Sequence, residues 1–217
     1  MTPTPSQVAG EDVTVVAGQL GREPHAMSAV ALRCPFGYPA VVEDLPYDGV
    51  GRPFPTLYYC TCPTLVASVA RLESAGRVAD WTTRLAECPG LARSAARAAA
   101  DEAVRRVDLV HEHGLTMLDG GASLSTGVGG VSDLLAVKCL HAHAAHALAL
   151  PGYALGDAVL AELEDPWCDD RRCAAFLRDL PMAGEAGRQG DHHDGAAGQP
   201  DPAAQATTDQ CADETPR

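Results

Sequence analysis

Eight cysteines and eight histidines carry most of the metal-binding and nucleophilic chemistry open to this chain of 217 residues. Three arrangements concentrate them. Arg33-Cys34-Pro35 sets a thiol beside a cation at a rigid turn. Cys60-Thr61-Cys62-Pro63 ends in a proline suited to the first helical position, which makes Cys62 the N-cap. Its sulfur then lies near unpaired backbone N–H groups, a setting that favours the thiolate. Lys138-Cys139-Leu140-His141-Ala142-His143-Ala144-Ala145-His146 reads as helix. At roughly 100° per residue, Cys139, His143 and His146 share one face. By the same count His141 falls on the other side, near Leu134, Val137, Ala144 and Leu148, where an imidazole donates to a backbone carbonyl. Thiolate and imidazole together are zinc ligands, and an activated thiolate is a nucleophile. No C-x2-C pair exists, so the spacing is not that of a zinc finger. Cys168 with Cys173 and Cys60 with Cys62 are weak signals alone. Cys88, Cys173 and Cys211 read as small buried hydrophobes or incidental thiols, and His192-His193 as exposed tail.

The elements that must position these residues follow from hydrophobic period and from glycine–proline punctuation. A short amphipathic helix is expected over 8–20, ended by Gly21. Strands are expected over 27–33, 40–45 and 56–61, separated by turns rich in Pro and Gly. From Pro63 the apolar period becomes helical, with a stop at Gly76, a second helix over 79–88 and a long Ala/Arg/Glu helix from Pro89 toward His113. Residues 114–131 form a Gly/Ser-rich loop. It lacks the Gly-Lys-Ser/Thr ending of a phosphate-binding loop and reads as a lid or a linker. Ser132 is expected to cap a helix running to about Leu150, and 156–164 forms another. The fold class is α+β, a small N-terminal sheet packed by several helices. Residues 1–180 form one domain and 181–217 a disordered acidic tail.

Net charge is −13, of which the seven acidic and two basic residues after 180 contribute −5. The acidic body excludes nucleic acid as a partner. No secretion signal opens the chain, and the longest apolar run, 142–150, is too short to span a bilayer, so no membrane insertion is expected. The expected location is the cytoplasm. Its reducing environment turns eight cysteines away from disulfides and toward metal or thiol chemistry.

Arg33-Cys-Pro-Phe-Gly-Tyr-Pro-Ala-Val-Val42, Gly51-Arg-Pro-Phe-Pro-Thr-Leu-Tyr-Tyr59, Arg71-Leu-Glu-Ser-Ala-Gly76 and Lys138-Cys-Leu-His141 with Ala145-His146 resemble the DUF501 family of actinobacterial proteins, over about residues 13–160. The resemblance implies weight on Arg33, Cys34, Lys138, Cys139, His141 and His146, and so adds His141 to the candidate ligands. His143 is not a motif position. It implies no reaction, and it associates the family with septum formation, an accessory role in cell division.

Three functions compete. In the first, Cys34, Cys62, Cys139 and His146 converge on a metal, zinc before an iron–sulfur cluster because ferredoxin spacing is missing. In the second, Cys34 or Cys139 is a nucleophile with His141 or His146 as base, acting on an acyl or phosphoryl substrate, while Arg33 and Lys138 contact an anion. In the third, the chain is an interaction protein without chemistry, docking an unknown protein partner through residues 90–113 and the tail.

Overall fold

Between Gly21 and Pro63 short apolar runs alternate with turns, and three of those runs pair into an antiparallel sheet. The computed structural model describes residues 8–178. The acidic tail, His192, His193 and Cys211 lie outside them. Helix α1 (Gly10–Leu20) precedes the sheet and stops at Gly21, whose φ of 66° needs no side chain in its way. Strands β1 (Met27–Arg33), β2 (Pro39–Asp44) and β3 (Tyr58–Cys60) follow in the order β1-β2-β3. Val42 faces Val30 on one side and Tyr59 on the other. All six residues of β2 are buried, as a central strand requires. The third strand is shorter than its sequence run. Thr56 and Leu57 stay outside the strand, although Leu57 still accepts the N–H of Asp44.

Helices cover this sheet, as the α+β expectation requires. Pro63 opens α2 (Pro63–Ser74) with Cys62 as its N-cap. Helices α3 (Arg77–Glu87) and α4 (Pro89–His113) follow, the latter again opened by proline and stopped by a left-handed Gly114. The chain then crosses a glycine-rich loop with one 3-10 turn (Ala122–Ser125) and enters α5 (Leu140–Ala149) and α6 (Ala154–Ala161). A second 3-10 helix (Arg172–Leu177) packs against α1.

Two expectations need correction. The helix expected from Ser132 begins eight residues later, at Leu140. Asp133 folds back to take the Leu135 N–H, Val137 N–H is drawn to Thr82 Oγ1, and Glu73 Oε1 caps Leu140 N–H at 2.6 Å. These side-chain partners hold 133–139 out of the helix. Cys139 is therefore the N-cap, with extended backbone, and among the described residues it forms no metal-holding group with His143 and His146. The glycine-rich loop is also no lid. Arg106, fully buried on α4, donates to the carbonyls of Leu124 and Thr126 and pins the loop to the core. Among the described residues no single helix is long and apolar enough to cross a membrane.

Candidate functional site

A cleft of about 610 Å3 opens where α1, β3, α2 and α5 meet. That volume falls within the range of small-ligand sites. Gln19 and Leu20 of α1 form one wall, and Pro63, Val66 and Ala67 of α2 form another. Cys139, His141 and Ala142 close it from the start of α5, and the β3 run from Thr56 to Thr61 supplies the floor. No carboxylate lines it, although the chain carries −13. Two polar atoms beside it are buried and unpartnered: Thr61 Oγ1 and Gln19 Oε1. Gln19 spends its amide nitrogen on the Pro39 carbonyl at 2.8 Å and on Cys173 Sγ at 3.3 Å.

The two thiols facing this cleft differ. Cys60 is buried, its sulfur 3.6 Å from the His141 carbonyl, and burial drives its pKa far up. Cys139 is half-buried. Burial raises its pKa too, but the N–H groups of Ala142 and His141 and the charge of Lys138 pull the other way. Cys62 repeats the pattern at the start of α2: Leu65 and Thr64 N–H groups favour its thiolate, and burial outweighs them. The N-cap position was legible in sequence. The net direction of the pKa was not, because desolvation depends on what packs over the sulfur.

The sequence-derived candidates do not gather at one point. His141 lies at the cleft, with Nε2 3.1 Å from the Val66 carbonyl and Nδ1 3.1 Å from Glu73. The carbonyl contact is the one its helical position suggested. With both nitrogens occupied, His141 turns no lone pair toward a metal. His146 is buried elsewhere, its Nδ1 2.8 Å from Glu102 and its ring edge-on to Tyr58 and Tyr153. Arg33 grips Asp12 with both Nη atoms at 2.7 and 2.8 Å, tying β1 to α1, so it is not free for an anion. Lys138 is exposed. Cys34 and Cys62 are buried near the start of β2, where their N–H groups bond the Tyr38 and Ala40 carbonyls. Among the described residues no three His, Cys, Asp or Glu side chains stand in a metal-holding arrangement.

A buried ionic network escaped the sequence reading. On α4, Glu102 joins Arg106 and also takes the His146 hydrogen bond, with all three side chains at most 2% exposed. Arg105 bridges Glu43 and Glu112 beside it. His143 meets Tyr153 at 2.6 Å, and burial lowers its pKa to about 4, with help from His146. The available signal was a Glu and an Arg, four residues apart, within the apolar stripe Ala95, Ala98, Ala99, Leu109 of α4.

The profile of DUF501, described as a protein of unknown function, matches residues 30–161, more than half of the chain. The chain belongs to the DUF501 family. No curated protein and no solved structure matches it. The DUF501 match contains Cys34, Cys62, Cys139, both cleft-lining strands of sequence around Cys60 and His141, and the Glu102–Arg106–His146 network. It begins after α1 and stops before Cys168 and Cys173. The Gln19 wall of the cleft therefore lies outside the DUF501 match.

Proposed function

We propose that this DUF501 protein is a binding protein whose functional centre is the cleft between α1, β3, α2 and α5. The observation that carries this reading is a cleft of about 610 Å3 with apolar and thiol walls and no lining carboxylate, in a chain of net charge −13. The occupant is largely apolar, to match walls that include Leu20, Val66, Ala67 and Ala142. Nile red, a neutral apolar dye, tests this with the full chain. Saturable fluorescence enhancement that iodoacetamide labelling of Cys139 abolishes supports the cleft. No saturable binding, or binding indifferent to the Cys139 label, defeats it.

One observation favours a second reading, a zinc site. Three thiols meet at the start of β2: Cys34 N–H bonds the Tyr38 carbonyl, Cys62 N–H the Ala40 carbonyl, and the Gln19 amide bridges the Pro39 carbonyl and Cys173 Sγ, with Cys168 five residues before Cys173. Four sulfurs could close on zinc as a tetrahedral thiolate set, replacing Cys139 and His146 in the expected ligand group. Closure requires the sulfurs to move inward, since they do not stand in a ligating arrangement now. Stoichiometric zinc in protein purified without a histidine tag, lost in Cys62→Ser, supports this reading, and metal-free folded protein removes it.

A further inference from the structure

The sheet has an open edge, and the cleft runs along it. Strand β3 pairs with β2 on one side only. The parity of that ladder is fixed at both ends, because Asp44 N–H bonds to the Leu57 carbonyl and Thr61 N–H to the Ala40 carbonyl. In an antiparallel ladder alternate residues turn their backbone groups to the partner strand. Leu57, Tyr59 and Thr61 therefore face β2, and the N–H and C=O groups of Tyr58 and Cys60 point outward. Among the described residues no backbone or side-chain group bonds them. Both residues are buried, Tyr58 at 6% exposure and Cys60 at 3%. Buried backbone groups without partners are rare in folded proteins, and each pair left unmet is destabilising.

The position of the cleft relative to the sheet identifies what meets them. The Tyr58 and Cys60 side chains lie on the α5 face, against His146 and the His141 carbonyl. Tyr59 lies on the other face, where it shares a second pocket with Leu20 and Val42. Since the cleft is lined from both faces of β3, it wraps around the outer edge.

Resting on the reading of this cleft as a binding site, we propose that it takes an extended peptide segment of another protein, which adds to the sheet as a fourth strand beside β3. Outward groups of Tyr58 and Cys60 supply up to four main-chain hydrogen bonds, the mode by which sheet edges capture peptides. Alternate side chains of the peptide then fall toward α1 on one face and α5 on the other, a consequence of the two-residue strand period. Walls of Leu20, Val66 and Ala142 select apolar side chains, and the acidic surface of the chain disfavours an acidic segment. The other sheet edge is less suited: β1 departs from regular register at three places.

The test is calorimetric titration of the full chain with acetyl-Val-Thr-Val-Thr-Val-amide and two N-methylated forms. One form is methylated at residues 2 and 4, the other at 1, 3 and 5. Strand addition uses amides of one parity only, so one form loses about tenfold or more in affinity while the other stays near the parent. Ala67→Trp, at an exposed wall position of α2, weakens the parent peptide and leaves the fold intact. Equal binding of both methylated forms overturns the edge-strand mode. So does absence of peptide binding while Nile red still saturates the cleft. Failure of dye and peptide together also removes the underlying reading of the cleft.

Discussion

At the start of α5, Cys139 and His141 stand half-buried against an open cleft, while later on the same helix His143 and His146 are enclosed by Tyr58, Tyr153 and Glu102. All four sit within eight positions of one apolar motif, and helical period grouped Cys139 with the late pair rather than with His141. Packing separates them. The late pair lies under α4 and α6, where each polar atom needs an internal partner. The early pair lies at the mouth of a helix, where the partners are backbone N–H groups, Glu73 and whatever enters the cleft. A histidine-rich motif thus serves stability at one end and leaves chemistry open at the other.

The largest effect is expected at the buried end. Arg106→Met leaves Glu102 as a buried charge whose cation is gone, a class of change that costs about 3–5 kcal/mol. His141→Gln at the cleft, by contrast, costs no more than about 1.5 kcal/mol, the scale of an ordinary hydrogen bond. Urea midpoints at constant m-value measure both. A loss for Arg106→Met as small as that for His141→Gln would erase the distinction. Replacing Glu102, Arg106 and His146 together by apolar residues recovers part of the loss, because no orphan charge remains.

Protonation of the buried groups gives the next largest effect. Burial holds His143 at a pKa of about 4, below its unfolded value near 6.5. Its contribution to stability is present above pH 6.5 and is lost as pH falls through 4, a swing of about 3 kcal/mol at most. Asp44 on β2 works in the opposite direction. Burial raises it to about 7, against the charge of Arg22 and with that of Glu43, so its contribution is present below pH 3.8 and is lost as pH rises through 7. Between pH 4 and 6.5 the two nearly cancel in the native chain. In Asp44→Asn stability should fall as pH drops through that window, and in His143→Gln it should rise. Parallel slopes in the two variants would refute the assignment.

A smaller effect is expected between α5 and α6. A methyl group on Gly156 would stand 2.4 Å from the His143 carbonyl oxygen, so Gly156→Ala forces the helices apart at the buried end. Overpacking of this kind costs about 1–3 kcal/mol, and because Ala142 and His141 of the displaced helix line the cleft, it should also weaken Nile red binding. Thermal denaturation and dye titration of one variant check both halves of the statement.

Much of the fold was legible because glycine and proline mark its boundaries. Gly21, Pro63, Pro89 and Gly114 each sit at the helix end their chemistry suggests. Where side chains far apart in sequence decided the outcome, the reading failed. Glu73 and Thr82 hold residues before Leu140 out of the helix, and neither contact has a local signal. The same holds for the site. Cys62 was visible as a thiol at a helix start, but Cys139 read as a mid-helix residue, and its place at the N-cap of α5 depends on the distant Glu73 and Thr82. The open edge of β3 was invisible too, since strand order is a property of the assembled sheet.

The smallest perturbation concerns the thiols alone. Cys139 is half-buried on the cleft, and Cys60, across from it, is buried with its pKa driven up by burial. Alkylation proceeds through the thiolate and needs access, so iodoacetamide should modify Cys139 before Cys60 with no change in stability. Peptide mass mapping over a time course gives the order. Raising pH should accelerate Cys139 first, because its helix N–H groups and Lys138 offset part of the burial penalty while Cys60 is further raised by the charge of Cys139 itself. Simultaneous labelling of both would mean that the Cys60 sulfur, buried at the cleft floor, becomes accessible to the reagent. The early end of α5 would then be a mobile gate, and the contrast with its fixed, ion-paired later turns would be one of motion as well as of burial.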